Sequence, residues 1–305
     1  MIRIIIISLM QHKIQKIKRK LIELLSNSQI GLSGTEISNK LNINRVTMTK
    51  YLNIFVSEGL IKQIKIGNAN LWFIESGIMQ FDLPDDYFKI KNKYLDHVLD
   101  FSNLHSINLI RSLLHSDSHP TKIILEIIIP TIHHIQKLYV EKKINRLDIK
   151  LYNRIIMNSI NLMNYLVNDI DFNKNILIIS DIQNTLQAEA AYTSFTANNW
   201  NVSFLGDISD AIDVLFDIDL QKFFHKIMTD KELMLVLVFV ESYEKLKFFS
   251  ETLKGIKKKF NNDIFLILFY EDVNADVDAD LITNDLKIVF QWADTKTTGM
   301  SKWAE

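Results

Sequence analysis

The chain has 305 residues, of which 48% are hydrophobic and 23% are charged, and it contains no cysteine. This composition is that of a globular protein, and it excludes a disordered chain, a collagen-like chain, a disulfide scaffold and thiolate metal sites. At roughly 100–200 residues per domain, the length predicts two or three domains.

The net charge of −1 is unevenly distributed. Basic residues exceed acidic ones by 11 to 4 over residues 1–77 and by 11 to 9 over residues 78–168, whereas acidic residues exceed basic ones by 23 to 13 over residues 169–305. A basic end joined to an acidic end is typical of a nucleic-acid-binding domain with an attached sensor or interaction domain. A chance asymmetry of solvated surfaces would give the same charge distribution. Sequence motifs are therefore needed to distinguish a nucleic-acid-binding domain from chance.

No apolar run reaches the roughly 18–20 residues that a membrane helix needs. The apolar segment at residues 4–10 is too short for the core of a signal peptide, and no small-residue cleavage site follows it. Either a short strand or an over-extended start, with Met10 as the initiator, explains this segment. We therefore expect a cytoplasmic protein without a membrane partner.

The first predicted elements are three helices. The first spans about residues 12–26, where apolar residues recur at helical spacing. The spacing of Ser33 and Glu36 predicts a capping box at the start of the second helix. Asn44 is placed to cap the third helix, and Gly59 lies where a left-handed C-terminal cap is expected.

Two strands, at about residues 60–66 and 71–74, follow the helices and predict a hairpin. The order of helix, helix-turn-helix and hairpin, together with the segment NINRVTMTKYLNIFVSEGLI, resembles the winged helix repressors of bacteria and archaea. The resemblance implies that residues 1–80 form a winged helix DNA-binding domain whose third helix enters the major groove.

The resemblance also implies which side chains contact DNA. On the third helix these are Arg45, Thr47, Thr49, Lys50 and Asn53. On the hairpin they are Lys62, Lys65, Asn68 and Asn70. Winged helices also serve as protein-docking modules without DNA, so a protein-interaction adaptor remains the alternative. Tyr51, Ile54 and Val56 are apolar where polar residues are usual, and we expect them to pack against another domain or subunit.

The middle of the chain, residues 86–168, predicts a four-helix bundle, because short connections favour antiparallel neighbours. Pro130 lies inside the third of these helices and predicts a kink. Six of the eight histidines lie in this region, but no carboxylate stands in an obvious facing position, so no metal site is expected. The four helices are predicted at about residues 86–101, 105–115, 121–141 and 146–167.

Residues 172–305 alternate apolar strands with helices, which predicts an α/β doubly wound parallel sheet of flavodoxin type. Ligands of such sheets bind at the carboxyl ends of the strands. The strands are predicted at residues 175–180, 201–205, 233–240, 264–270 and 287–291, and the helices at 185–198, 210–228 and 243–260. The whole chain is thus an α+β multidomain protein.

A helical bundle followed by this sheet resembles the cobalamin-binding module of corrinoid proteins. With a winged helix ahead of it, the order resembles the cobalamin-dependent light-sensing repressors. Two segments carry the likeness. PTIHHIQKLYVEKKINRLDIKLYNRIIMNSI resembles the last two bundle helices, and ILIISDIQNTLQAEAAYTSFTANNWNVSFLG resembles the first strand, helix and second strand of the sheet.

The cobalt-binding positions of that family are changed in this sequence. Where the family has a D-x-H-x-x-G loop, Asn184 stands at the histidine position and Gln187 at the glycine. Tyr139 stands at the position of the tryptophan that covers the corrin, and the family's Glu-His pair aligns with Ile149 and Lys150. Because an amide is a poor substitute for imidazole as a cobalt ligand, we expect no cobalamin. A cobalamin sensor with non-histidine ligation remains an alternative.

Enzyme motifs are lacking: the sequence has no G-x-G-x-x-G after a strand, no phosphate-binding P-loop, no G-x-S-x-G and no H-E-x-x-H. We therefore expect no catalytic residue and no enzymatic activity. Asp207, Asp210 and Asp213 crowd one predicted loop, and a second acidic stretch covers residues 272–280. Solvated acidic loops explain both better than cation sites.

Together these patterns predict a transcription regulator that binds double-stranded DNA. A homodimer or higher oligomer is expected, in which two winged helices contact a pseudo-palindromic site. The C-terminal half is expected to sense a small molecule or to hold a protein effector, without a resident cofactor or metal.

Overall fold

The structure is a computed structural model of the chain. It describes residues 14, 16–18, 20–28, 30–57, 59–66, 69–74, 87–116, 118–164, 170–212, 216–228, 233–260 and 263–297. Residues 4–10, Asn68 and Asp213, for which the sequence makes predictions, lie outside this set. The chain divides into two compact units: residues 1–86 with 107–118, and residues 87–106 with 119–305. The predicted domain boundaries stay predictions.

The first unit combines helices with a small antiparallel sheet. The described helical residues 14, 16–18 and 20–26 form α1. The elements that follow are β1 (Leu32–Ser33), α2 (Gly34–Leu41), α3 (Arg45–Ser57), β2 (Ile61–Ile66) and β3 (Ala69–Ile74). β3 pairs with both other strands, so the strand order is β1-β3-β2 and the hairpin prediction is confirmed.

Local side chains define the ends of α2 and α3 as predicted. Ser33 Oγ accepts the Glu36 N–H at 3.2 Å, and Glu36 Oε2 accepts the Ser33 N–H at 2.8 Å. These bonds complete the capping box, and the hydrogen bond from the Ser33 backbone is the main cause of a lowered pKa of Glu36. Asn44 Oδ1 accepts a backbone N–H of α3 at 2.9 Å. Gly59 has a φ of 69° and ends α3.

The core of the first unit lies between α1, α2, α3 and the sheet. Met48, Leu52 and Phe55 are the buried face of α3, as predicted. Gly31 has a φ of 74°, and a Cβ there would come within 2.6 Å of the Phe73 ring, so only glycine fits. The other core residues are Ile17, Leu21, Ile22, Leu25, Leu32, Ile37, Leu60, Ile61 and Trp72.

Five helices follow the hairpin along the chain. The second unit contains α4 (Tyr87–Leu99), α6 (Pro120–Ile123), α7 (Ile129–Val140) and α8 (Arg146–Asn164), whereas α5 (Asn103–His115) is divided between the two units. Residues 107–115 of α5 belong to the first unit, so the four-helix bundle over residues 86–168 stays a prediction.

A π-helical segment, Ile124–Ile128, lies between α6 and α7, directly before the turn that contains Pro130, and the kink expected at Pro130 stays a prediction. Proline has no N–H for the regular helical bond, and a wider turn before it lets the chain continue as a helix. Within the described residues, the helical stretch Pro120–Val140 is the one whose length and apolar composition would suffice to cross a membrane. This stretch packs against α4 and α8.

The rest of the second unit is a five-stranded sheet in which every pairing is parallel. The strand order β5-β4-β6-β7-β8 is that of doubly wound folds of flavodoxin type, and the predicted parallel sheet is confirmed. The elements are β4 (Asp171–Ser180), α9 (Thr185–Ala197), β5 (Trp200–Asp207), α10 (Phe216–Ile227), β6 (Leu233–Phe239), α11 (Tyr243–Lys257), β7 (Asp263–Phe269), β8 (Leu281–Thr283) and α12 (Leu286–Lys296).

Helices cover both faces of this sheet. On one face Leu177 and Ile179 of β4 join a buried cluster with residues of β6, β7, α10 and α11. On the other face Phe195 of α9 meets Trp200 at 5.0 Å and Phe290 at 5.2 Å between ring centroids, both edge to face. Such pairs add specific stabilisation to the area that they bury.

Two predicted elements of the sheet domain are wrong. The strand expected at residues 287–291 is part of α12, and the fifth strand is the short β8 before it. Asp285 caps α12 by accepting the Lys287 N–H at 2.8 Å. The buried residues of α12 recur at helical spacing. The helix expected from Asp210 begins at Phe216, because Asp210 lies in a turn.

Candidate functional site

The predicted DNA contacts of α3 lie on its solvent side. Because the buried residues of this helix recur every three or four positions, the remaining positions face outward. All five predicted contacts are exposed: Arg45, Thr47, Thr49, Lys50 and Asn53. On the hairpin Lys65 and Asn70 are exposed and face each other across β2 and β3, whereas Lys62 is half-buried.

A groove of about 470 Å³ brings several of these residues together. Arg45, Thr49 and Asn53 line it from α3, and Asn70 lines it from β3. The sequence-based interpretation did not include Thr35, at the start of α2, or Gln63 of β2, which also line it. The sequence offered one indication that Gln63 contacts a ligand, because it is a polar residue on a strand of the predicted hairpin.

The groove walls formed by α3, β2 and β3 are positively charged. These three elements contain no acidic residue, and their charged residues are Arg45, Lys50, Lys62 and Lys65. The same helix also exposes apolar side chains, because Val46, Ile54 and Val56 are 68%, 41% and 38% exposed. Tyr51 is half-buried and stacks on Phe55 at 6.3 Å.

The second unit holds a cavity of about 780 Å³ at the carboxyl ends of β4, β6 and β7. β4 and β6 flank the point where the strand order reverses, and ligands of doubly wound sheets bind at such points. The loop after β4 contributes Gln183 and Asn184, and α9 contributes Gln187. The facing wall includes His133 and Gln136 of α7. Burial lowers the pKa of His133, and the negative charge of Asp285 offsets part of this effect by raising the pKa.

Asp181 fixes the loop after β4. It is 4% exposed, and its Oδ1 accepts the backbone N–H of Asn184 at 3.2 Å and the side-chain Nδ2 at 3.0 Å. Its Oδ2 accepts the Glu241 N–H at 2.8 Å and pairs with Lys245 Nζ at 3.3 Å. Lys245 also pairs with Glu241 at 3.1 Å, so the carboxyl ends of β4 and β6 are tied together. The sequence-based interpretation missed Asp181.

Gln187 belongs to the cavity wall and has a side-chain oxygen without a hydrogen-bond partner. It is 5% exposed, and its Oε1 has no hydrogen-bond partner. A buried acceptor without a partner costs about 1–3 kcal/mol.

The residues of this cavity do not fit a histidine-ligated corrinoid. At the family's cobalt-binding position Asn184 offers an amide, and the nitrogen of that amide already donates to Asp181. Tyr139 is absent from the residues that line the cavity. Its hydroxyl instead accepts a hydrogen bond from Arg146 Nε at 3.2 Å.

Several side chains of the acidic loops contact neighbouring lysine or serine side chains. Asp278 pairs with Lys254 at 2.7 Å, a contact that lowers the pKa of Asp278, and Asp280 pairs with Lys257. Asp207 accepts hydrogen bonds from Ser209. In the part of the chain that the structure describes, no three His, Asp or Glu side chains gather around a common point.

Comparison with known proteins identifies the fold. No protein-family profile matches the chain, and no curated protein sequence matches it. The monomethylamine corrinoid protein of Methanosarcina barkeri is similar in structure, with a TM-score of 0.52 and 14% identity over 68% of this chain and 99% of that one.

Two further structures are similar at lower scores. A cobalamin-binding protein of Desulfitobacterium hafniense has a TM-score of 0.39 and 14% identity, over 66% of this chain and 97% of its own. The methanol:cobalamin methyltransferase complex of Methanosarcina barkeri has a TM-score of 0.35 and 11% identity, over 72% of this chain and 82% of its own. The likeness to the monomethylamine corrinoid protein shows that this chain contains the fold of a corrinoid protein.

Proposed function

We propose that this chain is a DNA-binding transcription regulator. Its first unit acts as a winged helix that binds DNA through α3, and its second unit senses an effector or holds a partner. The observation that carries the proposal is the groove in which Arg45, Thr49 and Asn53 of α3 meet Asn70 of the hairpin. These side chains are of the types that bind base edges and phosphates.

The exposed side of α3 is suited to the major groove, which admits one α-helix. Arg45, the first residue of α3, is the side chain that we assign to a guanine, because its guanidinium can donate two parallel hydrogen bonds to that base. Lys50 and Lys65 are exposed and are assigned to phosphates. The positive charge of these elements favours association with DNA.

Regulation follows from differential affinity. In the proposal a homodimer or higher oligomer places two copies of α3 on the half-sites of a pseudo-palindromic sequence. An effector that binds one arrangement of the chains more tightly than another favours that arrangement and so changes the affinity for DNA. The largest possible change equals the ratio of the effector's affinities for the two arrangements. The partners are thus double-stranded DNA, a second copy and a small-molecule or protein effector. The proposal includes no enzymatic activity and no membrane, and it places the chain in the cytoplasm with its DNA.

A protein-interaction adaptor is the second candidate. The exposure of Val46, Ile54 and Val56 on α3 favours it, because apolar side chains at the surface form the centres of protein interfaces. In that case α3 would contact a protein partner and the basic residues would surround the contact.

The salt dependence of binding to duplex DNA tests the proposal against this alternative. Each phosphate that a lysine or arginine neutralises contributes about −0.9 to the slope of log affinity against log salt concentration. Lys50 and Lys65, the two residues assigned to phosphates, therefore predict a slope of about −2 per chain. Fluorescence anisotropy with a labelled duplex measures this slope. A flat dependence, or no binding at low salt, would favour the adaptor.

A further inference from the structure

The outer side of α8 and the neighbouring corner between α4 and α5 expose large apolar side chains. Leu147 and Leu151 lie four residues apart on α8 and so face the same way, and they are 76% and 45% exposed. Phe101, at the end of α4, is 48% exposed, and Leu104, in the first turn of α5, is 66% exposed. We call these four residues the α8 patch.

Two contacts place the corner beside α8. The ring of Phe101 stacks on that of Tyr152 with 5.2 Å between centroids, and Asn158 Nδ2 donates to Asn103 Oδ1 at 3.1 Å. Asn158 lies about two helical turns after Leu151 and therefore on the same side of α8. The α8 patch is thus one continuous surface of the second unit.

Phe101 occupies a backbone position that favours glycine. Its N–H donates to Val98 O at 3.0 Å, and the Ser102 N–H donates to His97 O at 2.8 Å, which is the Schellman ending of a helix. Phe101 has a φ of 56°, and a bulky side chain is rare in this left-handed conformation. The stack on Tyr152 still leaves nearly half of the side chain exposed. Because strained residues of this kind cluster at functional sites, Phe101 indicates a contact that a single chain does not complete.

The area of the α8 patch is suited to a protein interface. At the exposed fractions given above, its four side chains present roughly 400 Å² of apolar surface to solvent. A stable interface buries about 800 Å² on each partner, and about 65% of that area is apolar in homodimers. The α8 patch would therefore supply most of the apolar area that a homodimer needs.

The charges around the α8 patch complement those of a second copy. Burial, followed by the nearby negative charges of Asp148 and Asp100, raises the pKa of Tyr152. Arg154 is exposed on α8, and among the residues that the structure describes neither it nor the two aspartates form an ion pair. Asp148 and Arg154 are equally distant from Leu151 along α8. A two-fold axis at Leu151 with antiparallel copies of α8 would therefore bring Asp148 opposite Arg154 of the partner subunit.

We propose that the α8 patch is the surface through which two copies of this chain form a dimer. The leucines of the patch pack against those of the second copy, Phe101 is covered, and ion pairs between Asp148 and Arg154 of the partner subunit lie at the edge. The inference rests on the proposed function for the role of the dimer, whereas the dimer itself does not require DNA.

Sedimentation velocity of the full chain tests the inference. The chain has a mass of 35.6 kDa, and we expect a species of twice that mass at about 50 µM, with a dissociation constant of about 10 µM or tighter. Leu147→Glu with Leu151→Glu should weaken the association by at least about 100-fold, because the dimer would then bury unpaired carboxylates. Both side chains are exposed in the single chain, so the variant should fold, and circular dichroism melting checks this.

Phe101→Asn is the second variant, because asparagine adopts the left-handed conformation and keeps the ending of α4. It should weaken the association by about tenfold or more. Relief of backbone strain opposes the loss of the stack on Tyr152, so we expect the melting temperature of the dilute, monomeric chain to change by no more than about 3 °C. A lower melting temperature with unchanged association would contradict the inference, since Phe101 would then serve the single chain alone.

The control is Ile218→Glu with Ile288→Glu, which changes two exposed isoleucines on α10 and α12, outside the α8 patch. This variant should sediment as the unmodified chain does. A dimer that persists in Leu147→Glu with Leu151→Glu, or one that is lost equally in the control, overturns the inference. A chain that stays monomeric at about 50 µM also overturns it and would leave the patch to a different protein partner.

The fluorescence anisotropy experiment with duplex DNA is read separately. A dimer that forms through the α8 patch without duplex binding supports the inference and refutes the proposed function. Duplex binding by a chain that stays monomeric leaves DNA binding standing and refutes the inference.

Discussion

Replacing Arg45 and Lys50 together by alanine should abolish sequence-specific DNA binding by this chain. Both side chains are exposed on α3, and Arg45 lines the groove that also holds Asn53 and Asn70. A bidentate arginine–guanine contact discriminates by about 1–3 kcal/mol, and the lost phosphate contact adds to this. We expect the affinity for the best genomic fragment to fall by about 100-fold in a mobility-shift assay.

The matched control removes the same charge elsewhere. Lys222 and Lys247 lie on α10 and α11, and their side chains are 73% and 61% exposed. Their ion pairs lie within one helix turn and at the surface, so replacing both by alanine should leave the fold and the DNA affinity unchanged. Equal losses in the two double variants would mean that only net charge matters and that docking through α3 is wrong.

Phe195→Ala should be the most damaging single substitution tested in the second unit. The side chain is fully buried, and it packs edge to face on Trp200 and Phe290, which joins α9 to β5 and α12. Its truncation should lower the free energy of unfolding by about 3–5 kcal/mol, since it removes buried area and leaves a void. Urea denaturation followed by circular dichroism measures the change.

Phe172→Ala is the control for this prediction. Phe172 lies on β4 and is 72% exposed, so its removal should change the free energy of unfolding by no more than about 0.5 kcal/mol. Similar losses in the two variants would show that Phe195 is not at the centre of the packing between α9 and α12.

Elements specified by neighbouring residues were predictable from the sequence. Ser33 with Glu36, Asn44 and Gly59 act within a few positions of themselves, and each is found in the role that its spacing indicated. The exposed side of α3 followed from the repeat of its buried residues. The parallel sheet likewise followed from continuous apolar strands that alternate with helices.

Elements that depend on distant contacts were not predictable. The three consecutive apolar residues at 288–290 fit a strand or a helix equally, and this segment is part of the helix α12, whose buried residues pack against the rest of the unit. Asp181 meets Glu241 and Lys245, which lie 60 and 64 positions further along the chain. The groove requires Asn70 to approach Arg45, and no local pattern predicts that approach.

Selection from a pool of random duplexes tests the central claim, that this chain recognises a DNA sequence, most directly. The full-length chain is bound to the pool, and the bound duplexes are recovered, amplified and sequenced. The account predicts enrichment of one motif with two related half-sites about one helical turn apart, and loss of that enrichment with Arg45→Ala and Lys50→Ala. A recovered pool as random as the starting one would contradict it.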